Sequence, residues 1–304
     1  MKALILGGGS LKGAWQAGAI QAVLETGFKP DMIYGISAGA LNAGYIVNES
    51  GKQWEQNQHI DWELINKKLI NFWLEHITKP SDIGKLKSRW MLGMETLLSR
   101  FDGLLDVEGL HNLFKRELRI EYIVQSPVRI KVGAVNVHTG EMYYASPNDA
   151  YFVDYILASS SIPIMMPTVQ IGGDHRKAFL DGGLREVVPI KKAIEDGATE
   201  IYAIATHPKH RQMKSINNRS FFGLIERIKD ISVNQFENND IEWAENYNEN
   251  LMSIAGFTLN RKISLHIIRP TEPLQIKLTN FNTKDVREMI MNGYEYAYNM
   301  LRSK

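Results

Sequence analysis

Before residue 48 the chain twice repeats one pattern: a short apolar run, a glycine turn, then a helical stretch rich in small residues. The first unit is Ala3–Leu6, then Gly7-Gly8-Gly9-Ser10-Leu11-Lys12-Gly13, with helix predicted over Leu11–Thr26 and Gly27 as its stop. The second is Met32–Tyr34, then Gly35-Ile36-Ser37-Ala38-Gly39, with helix predicted over Ala38–Val47. Two such units in tandem predict an α/β fold. Parallel neighbours cannot be joined by a tight hairpin, so the helices serve as crossovers between parallel strands.

Beyond these units the pattern changes. Residues 48–125 read as a helix-rich, amphipathic insertion packed on the α/β core. Strands resume at Val128–Val137 and Glu141–Ala145, and a helix over Ala150–Ser159 ends before Pro163. Val169–Ile171 and Ala178–Leu180 predict a hairpin across Gly172-Gly173-Asp174. A helix over Ile190–Asp196 and a strand over Glu200–Ala205 follow. Residues 215–304 read as a C-terminal helical extension: polar helix over 215–255, one late strand at Ile263–Ile268 and a closing helix at Lys284–Leu301. No linker or internal repeat divides the chain, so one domain over 1–304 is the expectation.

The 304 residues carry a formal net charge of +1, which removes any global electrostatic case for nucleic acid. With no cysteine, a disulfide framework, a thiol nucleophile and a cysteine-based zinc site are excluded. A reducing, cytoplasmic setting fits that composition. The run after Met1 is too short for a secretory signal. Nowhere does an apolar stretch reach the ~20 residues that span a bilayer, so membrane contact is expected to be peripheral. Oligomeric state is left open.

The two glycine turns carry the chemistry. Gly8 and Gly13 have the spacing of a phosphate-binding P-loop, but Ala14-Trp15 stand where Lys-Ser/Thr is required. Gly7-x-Gly9-x-x-x-Gly13 is a loose dinucleotide fingerprint lacking the acidic residue at the end of the second strand. A purely structural turn is a further reading. The remaining one is an oxyanion hole built from the N–H groups of Gly8, Gly9 and Ser10. Gly35-x-Ser37-x-Gly39 has the pattern of a nucleophile elbow, where a strand-to-helix turn leaves no room for flanking side chains. Its alternative is a serine that only caps the helix.

A nucleophile needs a base. His207, His210 and His266 follow in the usual order, but no surrounding motif marks any of them. Asp181 ends an apolar strand and precedes Gly182-Gly183, which lets the chain turn and leaves the carboxylate open. A simple turn aspartate is the competing reading.

Taken together, these residues resemble the patatin-like phospholipases. The stretches that match are Gly8-Gly9-Ser10-Leu11-Lys12-Gly13, Gly35-Ile36-Ser37-Ala38-Gly39 and Asp181-Gly182-Gly183, with Ala158-Ser159-Ser160-Ser161-Ile162-Pro163 between elbow and aspartate. The order agrees from residue 3 to about 206. Ser10 stands where many members have Gly, and Gly7 where many have Asp. Leu184–Pro189 also departs from the usual Asn before proline.

The resemblance implies a three-layer α/β/α fold with a mostly parallel central sheet. It implies hydrolysis of phospholipid or lysophospholipid acyl esters by a Ser37-Asp181 dyad, with Lys12 adding positive charge and no metal or organic cofactor. A thioesterase or transacylase on the same dyad is the alternative, as is a non-catalytic lipid-binding relative. The basic-then-apolar run Lys85-Leu86-Lys87-Ser88-Arg89-Trp90-Met91-Leu92 would touch an anionic bilayer or line an acyl channel; an ordinary core-packed helix explains it equally well.

Overall fold

The computed structural model describes residues 1–98, 102–210, 221–249, 253–254, 257–258 and 261–303. The chain begins with strand β1 (Lys2–Leu6), helix α1 (Gly13–Glu25), strand β2 (Met32–Ile36) and helix α2 (Ala38–Asn57). Next come α3 (Trp62–His76), α4 (Pro80–Ile83), β3 (Lys85–Leu86), α5 (Arg89–Leu97), β4 (Leu105–Asp106), α6 (Glu108–Glu117) and α7 (Ile120–Gln125). The sheet resumes with β5 (Arg129–Asn136) and β6 (Met142–Ala145), then α8 (Phe152–Ser159), β7 (Val169–Gln170) and β8 (Ala178–Asp181). The last third holds α9 (Ile190–Glu195), β9 (Glu200–Ile204), α10 (Phe221–Glu249), β10 (Ser253–Ile254), β11 (Phe257–Thr258), β12 (Ser264–Ile268) and α11 (Thr283–Arg302).

The central sheet runs β12-β9-β1-β2-β5-β8-β7, with β6 also on β5. The pairings from β12 through β5 are parallel, and β6, β7 and β8 add antiparallel ones. The parallel crossovers expected from the two glycine-turn units are present, and the hairpin over 169–180 forms as β7–β8. Period-two alternation in buried strands builds the layers. Leu4, Leu6 and Ile33 join the core under α1, α2, α3, α8 and α11. Ala3, Ile5 and Tyr34 face the other way and pack with Ile190, Ala193, Ile241 and Ala244 of α9 and α10. Both faces are covered, giving α/β/α layers. Each fully buried Leu or Ile contributes about 1.5–3 kcal/mol relative to exposure.

Several boundaries differ from expectation. Helix α2 continues ten residues past Val47, so residues 48–57 belong to a core helix and not to the insertion; Asn48, Ser50 and Gln53 are buried along it. The insertion also contains a short antiparallel ribbon, β3–β4. Of the helix expected over 215–255, residues 215–220, 250–252 and 255 lie outside the described residues. Among the described residues of 215–304 there are three strands, since β10 and β11 pair with each other in addition to β12.

The C-terminal stretch is part of the core. β12 extends the central sheet, and α11 lies directly on α1. A Cβ on Gly18 would sit 1.9 Å from the Ile290 carbonyl oxygen, and one on Gly293 would sit 2.0 Å from that of Trp15. The helices therefore cross backbone to backbone, tied by Trp15 Nε1 donating to Asn292 Oδ1 at 3.0 Å.

Candidate active site

The register of β5 explains how two residues 144 positions apart meet. β2 pairs with β5 as far as Ile36↔Gly133, and β8 pairs with it from Asp181↔Ala134 onward. β6 overlaps both of these ladders on β5, so it occupies the opposite edge. Hence β2 and β8 share one edge and run into each other, C-terminal end to C-terminal end. Ser37 is the residue after β2 and Asp181 is the last of β8. Ser37 Oγ donates to Asp181 Oδ2 at 2.7 Å.

Ser37 sits at φ 55°, ψ −127°, which places a non-glycine residue in the conformation of a type II′ turn's first central position. Such backbone costs on the order of 1–3 kcal/mol and persists only where surroundings impose it. Here Gly39 imposes it: a Cβ there would fall 2.0 Å from the Leu6 carbonyl oxygen, so α2 starts hard against the end of β1. Gly35 is equally confined, since a Cβ there would lie 2.6 Å from Ala40 Cα. The Ser37 side chain makes no cap to α2, so its hydroxyl is committed to Asp181. Its backbone N–H donates to Ser159 Oγ at 3.0 Å, and Ser159 donates to the Gly133 carbonyl at 2.6 Å.

Asp181 is 5 % exposed. Its Oδ1 accepts the Gly183 N–H at 2.8 Å, and its own N–H donates to the Ser161 carbonyl at 3.0 Å. Gly182 is needed because a Cβ would lie 2.4 Å from the Gly133 carbonyl oxygen. Burial raises the Asp181 carboxyl above its ordinary value; the charge of Lys229, the Ser37 hydroxyl and the Gly183 N–H work against that rise. A raised carboxylate is a better proton acceptor.

The glycine loop lies beside this pair. Gly13 has no room for a side chain, since a Cβ would meet Trp73 at 2.7 Å and Ala38 at 3.0 Å. Gln16 Nε2 holds the Gly7 carbonyl at 3.2 Å and is itself held through Asn42 and Trp73. One expectation is corrected here. The Gly8 N–H donates to the Val187 carbonyl at 3.1 Å, so it is not available as an oxyanion donor. The loop leaves β1 still in ladder-like pairing and turns only at Gly9. The N–H groups of Gly9 and Ser10 have no partner among the described residues. Ser10 adopts φ 56°, the left-handed backbone that glycine fills most easily.

A cavity of about 420 Å³ opens over these groups, with Gly9, Ser10, Lys12, Ser37 and Asp181 in its wall. A second, apolar cavity of about 50 Å³ adjoins it at Ser10, Ser37 and Ile162 and runs towards Leu41, Phe72 and Trp73. Of the three histidines, His207 lines the larger cavity, but its Nδ1 faces Glu237 and Thr206. His266 is stacked on Tyr202 in the sheet, and His210 is exposed. The side chain that meets the Ser37 hydroxyl is Asp181 and none of these histidines. Ser159, Thr206 and Glu237 also shape the site. The serine-rich stretch before Pro163 pointed to Ser159, whereas no local signal marks the other two.

On α5 the core-packed reading does not hold for Trp90, which is 76 % exposed, as is Leu97 at 78 %. Leu92 packs against the cluster of Ile162 and Met165, which also line the cavity. Lys87 is paired with Glu95 at 3.0 Å and with Asp102. No helix among the described residues is long and apolar enough to cross a membrane.

A family model described as patatin-like phospholipase matches residues 4–194, which take in the glycine loop, Ser37 and Asp181. The uncharacterized protein YjjU of Escherichia coli (strain K12) is 26 % identical over 220 residues, covering 68 % of this chain and 52 % of that protein. The chain thus spans about half the length of this curated relative. The crystal structure of VipD from Legionella pneumophila aligns over 99 % of this chain and 66 % of that one, at 16 % identity and a TM-score of 0.40.

Proposed function

Since the chain belongs to the patatin-like phospholipase family, we propose that it is a serine lipid acyl hydrolase cleaving phospholipid or lysophospholipid esters through Ser37 and Asp181. The observation that carries this reading is the 2.7 Å hydrogen bond from Ser37 Oγ to Asp181 Oδ2 on the wall of the cavity. Ser37 Oγ attacks the ester carbonyl and its proton passes to Asp181. The carbonyl oxygen becomes an oxyanion held by the Gly9 and Ser10 N–H groups, at the N-terminal end of a short helical turn. Collapse expels the alcohol, which takes the proton from Asp181 and leaves an acyl-Ser37 ester. Water then attacks that ester and gives its proton to Asp181. The second collapse breaks the acyl–Oγ bond, returns the proton to Ser37 and releases the fatty acid. A positioned base contributes about 10²–10⁴-fold, and each oxyanion donor about 10²–10³-fold.

The cavity's chemistry supports this substrate class. Ile162, Ile164, Met165 and Leu278 suit an acyl chain, and Lys12, Arg227 and Lys229 suit a phosphate. The exposed Trp90 and Leu97, on the helix whose Leu92 packs against Ile162 and Met165, suit peripheral contact with a lipid surface. A fluorophosphonate probe tests the core of the reading. It is expected to label wild-type Ser37 and to spare Ser37→Ala. A well-folded wild type that takes no label, or equal labelling of the variant, overturns it.

A further inference from the structure

One buried polar chain next to the oxyanion loop has no part in the chemistry above. Thr206 lies two residues beyond β9, wholly buried, and its Oγ1 donates to the Gly8 carbonyl at 2.6 Å. The Gly8 carbonyl and the Gly9 N–H belong to one planar peptide unit and point in opposite directions. A bond that fixes the carbonyl therefore fixes the direction of the N–H. That hydroxyl is seated tightly under the peptide, since a Cβ on Gly9 would fall 2.3 Å from Thr206 Oγ1.

Behind Thr206 stands a charged support. His207 Nδ1 lies 3.2 Å from Thr206 Oγ1 and 3.1 Å from Glu237 Oε2. Glu237, also wholly buried, takes the backbone N–H of His207 at 3.0 Å and of Thr206 at 3.3 Å, with Arg269 3.6 Å away. The Thr206 hydroxyl has one proton, and it goes to Gly8. Towards His207 its oxygen can only accept, and a carboxylate can only accept. Nδ1 therefore carries the proton and donates to both. This fixes the threonine hydroxyl in the rotamer that points at Gly8.

We propose that Thr206, held by His207 and Glu237, is the positioning residue of the oxyanion site and aims the Gly9 N–H at the developing charge. This rests on the serine-hydrolase reading. The bond to the Gly8 carbonyl also polarises that peptide, strengthening the N–H donor by about 10–30 % as chained hydrogen bonds do. Thr206 is not among the residues lining the cavity, so its effect is expected in kcat and not in binding.

The test uses Thr206→Val, which keeps the shape and removes the hydroxyl, with Thr206→Ser as the conservative rescue. Against a soluble short-chain ester, Thr206→Val is expected to lose about 10- to 100-fold in kcat, less than deleting a donor outright, with KM within about twofold. Fluorophosphonate labelling is expected to slow in proportion, and Thr206→Ser to recover most of the rate. The acid limb of the pH profile stays in place, because Asp181 is untouched. Thr206→Ala, free of any steric clash, is the second variant should the valine disturb folding, with the same loss expected. Wild-type kcat in either the valine or the alanine variant overturns the proposal, as does a serine variant no better than valine. Absence of labelling in the wild type overturns the hydrolase reading instead, so the two failures are told apart.

Discussion

The strained backbone at Ser37 gives a prediction in which two inactive variants differ in stability with an unusual sign. Ser37→Ala and Ser37→Gly both remove the hydroxyl, and so lose the same 2.7 Å bond to Asp181. That loss cancels when the two are compared. What remains is the cost of a Cβ at φ 55°, ψ −127°, on the order of 1–3 kcal/mol. Against it stands the greater flexibility of glycine in the unfolded chain, about 0.4–1 kcal/mol in favour of alanine at an ordinary position. The difference leaves Ser37→Gly more stable than Ser37→Ala by roughly 0.5–2 kcal/mol. In a chain of this size that amounts to about 1–4 °C in melting temperature. Parallel urea titrations and thermal melts read it directly, with equal m-values as the check that the unfolded states match. An alanine variant as stable as the glycine variant would show that the elbow stores no strain, and the account of Gly39 forcing it would fall.

Three further outcomes follow from the geometry. Burial raises the Asp181 carboxyl, and the proposed mechanism needs its ionised form, so kcat/KM should fall as pH drops through a value above the ordinary aspartate range. Asp181→Asn should remove that limb and cost about 10²–10⁴-fold in kcat; a limb at or below the usual aspartate value contradicts the burial argument. Trp90→Ala should weaken sedimentation with anionic vesicles while leaving soluble-ester turnover unchanged, and equal loss of both counts against a lipid face. Gly39→Ala, with a Cβ 2.0 Å from the Leu6 carbonyl oxygen, should destabilise by more than about 4 kcal/mol in urea titration. Gly109→Ala on α6, with nothing within 4 Å, should instead gain about 0.5–1 kcal/mol, and a similar response of the two would refute the close-approach argument.

The strands and crossovers around Gly7–Gly13 and Gly35–Gly39 were readable because their signals are local: an apolar run, a glycine turn and a small-residue helix within about 15 residues. Asp181 is legible from its own surroundings, an apolar strand end before Gly182-Gly183, and the family resemblance is what pairs it with Ser37. Element ends were less readable. α2 runs to Asn57 because burial against α7 overrides a polar-looking sequence, as when a Cβ on Gly51 would meet the Tyr122 carbonyl oxygen at 1.8 Å. Trp90 could not be assigned to core or surface, because an apolar helix face does not say whether anything covers it.

By itself the sequence determined which residues are chemically able to act: Ser37 between glycines, Asp181 before glycines, and a loop with N–H groups to spare. The tertiary structure decided which of them are brought together. Ser37 and Asp181 meet because β2 and β8 end head to head along one edge of β5, a register set by long-range pairing that no local pattern encodes. The same distance-spanning contacts decide among the loop's donors. Val187 takes the Gly8 N–H and Thr206 takes the Gly8 carbonyl, leaving Gly9 and Ser10 to face the cavity. A backbone group's partner depends on what the fold brings opposite it, and both of these partners lie more than 170 residues further along the chain.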